Sequence, residues 1–143
     1  MGLLANVTCV SVSGRGLLIE GRPGSGKSSL ALALIDRGAG LVGDDGVALE
    51  RRGDRLWAHP PPNIAGKLEI RGVGIIDLAA EPAALALVLS LDARDERMPN
   101  PDTITLEGTQ LPRLRFRTGD ALAPVRADWA LRLHGLPPPD LAM

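Results

Sequence analysis

The residues best suited to chemistry are Gly21-Arg22-Pro23-Gly24-Ser25-Gly26-Lys27-Ser28. They fit G-x-x-x-x-G-K-[ST], the phosphate-binding P-loop. Its glycines let the backbone curl so that successive N–H groups point at phosphate oxygens. The helix that follows adds the positive end of a dipole. In such a loop Lys27 reaches the β- and γ-phosphates and the Ser28 hydroxyl ligates Mg²⁺. The competing explanation is a Gly-rich turn that merely precedes a helix. Agreement of all the fixed positions with a preceding strand and a following helix speaks against it.

Asp44-Asp45 follows a short apolar stretch. A carboxylate there can hold Mg²⁺ or take the proton from an acceptor hydroxyl. Adjacent side chains on an extended chain point opposite ways. The pair is therefore expected to divide these roles, or to present one member only to the phosphate. An ordinary acidic turn before Gly46 has the same composition. Glu69 and Arg71 alternate and would share one face, as a carboxylate near Mg²⁺ and a guanidinium near transferring phosphate, or as a surface ion pair. Arg94 and Arg97 lie in a polar stretch, Ala93 to Asp102, that reads as an exposed loop able to close on a ligand. His59 and His134 have no partner at a telling spacing and read as a strand-end and a helix C-terminal residue.

These groups need elements to position them. Val7 to Val12 reads as a strand, and Ser13-Gly14-Arg15-Gly16 turns it into a second, Leu17 to Glu20, which runs into the P-loop. Ser29 to Arg37 reads as a helix ending near Gly38, with Leu30, Leu34 and Ile35 as its core face. Ala39 to Val42 is a short strand leading to Asp44. Val47 to Glu50 and Leu56 to Ala58 read as a hairpin ended by Pro60-Pro61-Pro62. In Gly66 to Leu78 a charged, Gly-containing loop feeds a buried strand, and Ala84 to Asp92 is a further strong strand. Thr103 to Leu106 and Gln110 to Phe116 pair across Glu107-Gly108-Thr109. Asp120 is expected to N-cap a last helix to about residue 134, with Leu122, Val125, Trp129 and Leu133 on one face, before a Pro-rich tail over 135–143. One helix among so many tightly linked strands predicts a mixed sheet around a single P-loop helix, not a regular βαβ succession.

The chain has 143 residues, a length that suits one domain, and no internal repeat or linker divides it. With 45% hydrophobic residues but only 2% aromatics, the core must be Leu, Val, Ile and Ala. A net charge of −1 and the near absence of stacking side chains give no case for nucleic acid. Cys9 is the only cysteine, so no disulfide forms within the chain and no zinc spacing exists. No secretory signal is visible, and the run near Ala83 to Leu91 is too short to span a bilayer. No membrane association and a cytoplasmic location are the expectations.

Taken together, these stretches resemble the catalytic domain of HPr kinase/phosphorylase, the serine kinase of the phosphocarrier protein HPr. The resemblance runs over about residues 5 to 116. Leu68 to Asp77 is similar to that family's signature L-E-I-R-G-[LV]-G-I-I-[DN], and Leu41 to Asp45 follows the P-loop at the family's spacing. The resemblance implies an α/β fold, a P-loop kinase domain with a mixed sheet similar to phosphoenolpyruvate carboxykinase. It implies ATP and Mg²⁺ as cofactors and HPr as the protein partner. Residue by residue, Gly21 to Ser28 would bind the ATP phosphates, with Lys27 active and Ser28 on Mg²⁺. Asp45 matches the carboxylate that accepts the serine proton, Asp44 would assist, and Glu69 matches the second Mg²⁺ position. Glu96-Arg97-Met98 resembles the family's D-R-L, which favours Arg97 over Arg94 as an active-site residue.

Three departures shape the expectation. The chain begins at the catalytic domain, like a short form without the family's N-terminal domain. Asn6 occupies the position of a family active-site His and cannot exchange a proton near neutral pH. Arg117 to Leu122 stands where long members carry V-R-P-G-R-N, a segment tied to dephosphorylation. The kinase direction is therefore expected to survive and the phosphorylase direction is not counted on. The altered C-terminus leaves assembly into a homo-oligomer open. A nucleotide-sensing module without efficient transfer, or a P-loop kinase for another acceptor, stay as alternatives.

Overall fold

Leucine-rich and β-branched runs separated by Gly- and Asp-containing turns fold as strands in the computed structural model, which describes residues 2–92, 94 and 96–139. In chain order these are β1 (Gly2–Ala5), β2 (Thr8–Val12) and β3 (Arg15–Glu20), followed by helix α1 (Lys27–Asp36). Next come β4 (Gly40–Gly43), β5 (Gly46–Arg52), β6 (Arg55–His59), β7 (Lys67–Ile70) and β8 (Gly74–Asp77). The chain continues as β9 (Ala83–Leu91), β10 (Asp102–Leu106), β11 (Thr109–Phe116) and helix α2 (Ala123–His134). Positions 93 and 95 of the polar loop, and positions 140–143 of the Pro-rich tail, lie outside the described residues.

The main sheet is mixed and runs β1-β5-β6-β9-β3-β2-β4. Its centre is β9, which pairs in parallel with β3 along one edge. Its other edge is shared: Ala83 and Ala84 pair antiparallel with β6, and Val88 to Leu91 pair in parallel with β11. Every residue from Ala84 to Leu89 is fully buried, which explains the unbroken apolar run that a two-sided strand requires. A register shift at Gly16/Leu17 puts Ala86 and Leu87 on the same side. On that side α1 and α2 cover the sheet through Leu30, Ala31, Leu34, Ala127 and Leu131. The other face is closed by the curl of the sheet, with Cys9, Leu18, Val42, Leu56 and Leu85 packed together.

Three expectations are corrected. The segment Leu68 to Asp77 is not a loop feeding a buried strand: β7 and β8 form a separate antiparallel hairpin, and Ile75 is 68% exposed. Its two strands have only one face to bury, so alternate residues point to solvent. The apolar stripe on α2 is turned outward, with Leu122, Trp129 and Leu133 exposed while Ala123, Ala127, Ala130 and Leu131 pack inward. Small residues there let the helix lie close on the sheet. Asp120 is not the N-cap of α2, which is Leu122; its carboxylate instead accepts the Leu122 N–H at 3.1 Å.

Cys9 is fully buried, and burial pushes its thiol well above the usual cysteine range. Since only the thiolate is an effective nucleophile, Cys9 is expected to resist alkylation at neutral pH in the native protein. It should react at the rate of a free thiol once denaturant opens the sheet. Stoichiometric labelling of the native protein within minutes would contradict this packing.

Candidate active site

The P-loop joins the C-terminal end of β3 to α1, so the sheet aims the loop and the helix supplies its N-terminus. Gly26 caps α1 with φ of 102°, a left-handed conformation that glycine adopts without strain. Among the described residues no side chain caps α1 and its first turn holds no acidic residue, so its first N–H groups stay available to an anion. Lys27 Nζ donates to the carbonyls of Gly21 at 2.8 Å and Arg22 at 3.1 Å, which folds the ammonium over the loop.

Beside the loop lies a cavity of about 380 Å³. Lys27 and Ser28 line it from the loop, Asp44 and Asp45 from the end of β4, Thr8 from β2, and Glu69 and Arg71 from the β7–β8 hairpin. The structure thus gathers Pro23, Gly24, Gly26, Lys27 and Ser28 of the P-loop and both acidic stretches around one space, whereas Gly21, Arg22 and Ser25 do not line it. Asp44 is fixed by two hydroxyls: Ser28 Oγ donates to its Oδ1 at 2.7 Å and Thr8 Oγ1 donates to the same oxygen at 3.0 Å. The two aspartates do not split across an extended chain as the alternation rule suggests. Asp45 has φ of 63°, so the chain turns there, and both aspartates line the cavity. The Asn6 N–H donates to the Asp45 carbonyl at 3.1 Å and so ties β1 to that turn; the Asn6 side chain does not line the cavity.

Thr8 is the residue that sequence reasoning missed. It is buried to 1% exposure, and its signal is a hydroxyl inside an otherwise apolar strand, which a buried polar group must answer with a hydrogen bond. Arg97 is exposed and does not line this cavity, nor does Arg94. His59 Nε2 lies 2.9 Å from Glu50 Oε1, away from the site. A second cavity of about 520 Å³ shares Pro23 and Gly24 with the first and is also lined by Arg22, Ser25, Asp92 and Thr118.

Among the described residues no group of three or more His, Cys, Asp or Glu side chains is gathered closely enough to cage a metal. The donor set instead suits a cation that keeps its waters and takes one carboxylate, one hydroxyl and phosphate oxygens, the usual protein share for Mg²⁺. Asp44 and Ser28 already meet as such a pair.

Comparisons with known proteins agree on one family. The model of the HPr Serine kinase C-terminal domain matches residues 4–94. HPr kinase/phosphorylase of Streptococcus thermophilus is 38% identical over 122 residues, covering 75% of this chain and 40% of that protein. HPr kinase/phosphorylase of Chlorobium phaeobacteroides is 48% identical over 73 residues, covering 50% of this chain and 23% of that protein. The chain therefore spans less than half the length of these relatives. The solved HPr(Ser) kinase/phosphatase of Coxiella burnetii superposes with a TM-score of 0.78 at 28% identity, over 94% of this chain and 96% of that one.

Proposed function

The chain belongs to the HPr serine kinase C-terminal domain family, and on that premise we propose that it transfers the γ-phosphoryl group of ATP to a serine of HPr. The observation that carries this is the meeting of Asp44, Asp45 and the P-loop around one cavity. The loop N–H groups and Lys27 would hold the phosphates, which requires Lys27 to leave the Gly21 and Arg22 carbonyls for the ligand. Mg²⁺, held by Ser28 and Asp44 with Glu69 at the cavity wall, would neutralise phosphate charge. The nucleoside end would leave the loop toward the second cavity.

Asp45 is the base in this mechanism. Asp44 is occupied by two hydroxyl donors, whereas Asp45 lines the same cavity at the chain turn. Its carboxylate accepts the serine proton as the serine oxygen bonds to the γ-phosphorus and the bond to the β–γ bridging oxygen breaks, releasing ADP. Arg71, on the cavity wall, stands where a guanidinium would offset charge on the moving group. Arg97 would have to move in to take part. The whole chain would act as one catalytic unit in the cytoplasm, where ATP and HPr are present. Among the described residues no helix is long and apolar enough to cross a membrane.

The test is transfer from labelled ATP to purified HPr. Serine-phosphorylated HPr is expected with Mg²⁺, and EDTA is expected to abolish it. Adding inorganic phosphate then reads the reverse direction. ATP binding without phospho-HPr would sink the kinase assignment and leave a nucleotide-sensing module.

A further inference from the structure

We propose that the outer face of the β7–β8 hairpin, through Ile75 and Val73, is the docking surface for the polypeptide that carries the acceptor serine. The inference rests on the kinase reading above and deepens it. Glu69 pairs directly with Ile75 across the hairpin. Directly opposed residues share a face, with Cβ atoms about 4.5–5.5 Å apart. Glu69 lines the catalytic cavity, so Ile75 stands at its rim.

Folding does not explain the exposure of these side chains. The hairpin already buries its other face through Leu68, which is fully buried. Ile75 is 68% exposed and Val73, in the connecting turn, is 76% exposed. They form an apolar rim beside a cavity whose functional lining is polar. Farther along the same face Lys67 pairs with Asp77, so the two charges there offset each other. The face therefore offers an apolar contact and no net charge of its own beyond the cavity.

Geometry selects the occupant. A serine hydroxyl lies only two covalent bonds from its Cα, about 2.5 Å. A polypeptide that places this hydroxyl against Asp45 must bring its main chain to the mouth of the cavity and cover the rim. The occupant is the acceptor protein, which sets an apolar side chain against this rim.

The test measures the affinity of the full chain for purified HPr by calorimetry, with Mg²⁺ and a non-hydrolysable ATP analogue, alongside the KM for HPr in the transfer assay. Ile75→Ser combined with Val73→Ser is expected to weaken HPr binding and raise its KM by about tenfold or more. Nucleotide affinity, melting temperature and turnover at saturating HPr should stay at wild-type values. Ile75→Val alone should behave as wild type. Unchanged HPr affinity in the double variant overturns the docking surface while leaving the kinase reading intact. If that variant instead dissociates a dimer without altering HPr affinity, the face belongs to a second copy and the proposal also falls. A wild-type chain that neither binds nor phosphorylates HPr overturns both readings together.

Discussion

Asp45→Asn is expected to lower phosphoryl transfer to HPr by about 10²–10⁴-fold while nucleotide affinity stays within twofold or so, the usual scale for removing a general base. The substitution isolates proton acceptance from structure for a reason visible in the backbone. Asp45 sits at φ of 63°, a left-handed conformation that Asn tolerates as readily as Asp. The bond that anchors the turn runs from the Asn6 N–H to the Asp45 main-chain carbonyl, so it survives the change. An amide keeps the shape and loses the ability to accept a proton. Single-turnover transfer and titration with a fluorescent nucleotide separate the two effects. A wild-type transfer rate in Asp45→Asn would remove this residue as the base. Asp44→Asn should behave differently, because its carboxylate holds the Ser28 and Thr8 hydroxyls. Its loss should raise the Mg²⁺ concentration needed for half-maximal rate.

The second large effect is expected at a residue without a side chain. Gly43→Ala should destabilise the protein by about 1–3 kcal/mol and cut transfer by about 10²-fold, the cost of roughly 1 Å of misplacement at a reacting group. A Cβ at Gly43 would run into the main-chain carbonyl oxygen of Gly46, and would also lie 3.0 Å from both Pro61 Cδ and Val47 Cγ1. The Gly46 carbonyl cannot move without moving the turn that carries Asp44 and Asp45. Gly40→Ala is the matched control. Its Cβ would meet the Glu81 carboxylate, the far end of a flexible side chain that can swing away. Chemical denaturation and the transfer assay on both variants give the comparison. Equal behaviour of the two would show that the Asp44–Asp45 turn is not held by close backbone packing at Gly43.

Some of this was legible in the residues and some was not. The β2–β3 and β5–β6 hairpins follow from Gly- and Asp-containing turns between β-branched or leucine-rich runs, signals that are local. The P-loop announces both its strand and its helix. What failed depended on which of two faces is covered. Ile75 and Ile76 look alike as apolar residues, yet only one side of a two-stranded hairpin meets the protein. On α2 the bulky Leu122, Trp129 and Leu133 suggest a core face, whereas Ala127 and Ala130 allow the close approach that tertiary packing required. The aspartate pair stands out in the sequence, but its geometry does not, because the alternation of an extended strand ends where Asp45 turns the chain. Thr8 was invisible because its meaning lies in Asp44, 36 residues away.

The position of β9 has a consequence for how the molecule is made. Its neighbours are β3, β6 and β11, which are drawn from early, middle and late stretches of the chain. During synthesis the P-loop and both aspartates leave the ribosome well before the strand that holds the sheet together. Until β9 emerges, β3 has no parallel neighbour and α1 lacks much of the surface on which it packs. Catalytic competence is thus a late event, and the nascent chain carries an unpaired strand edge in the interval. That edge is the feature a holding chaperone would be expected to meet.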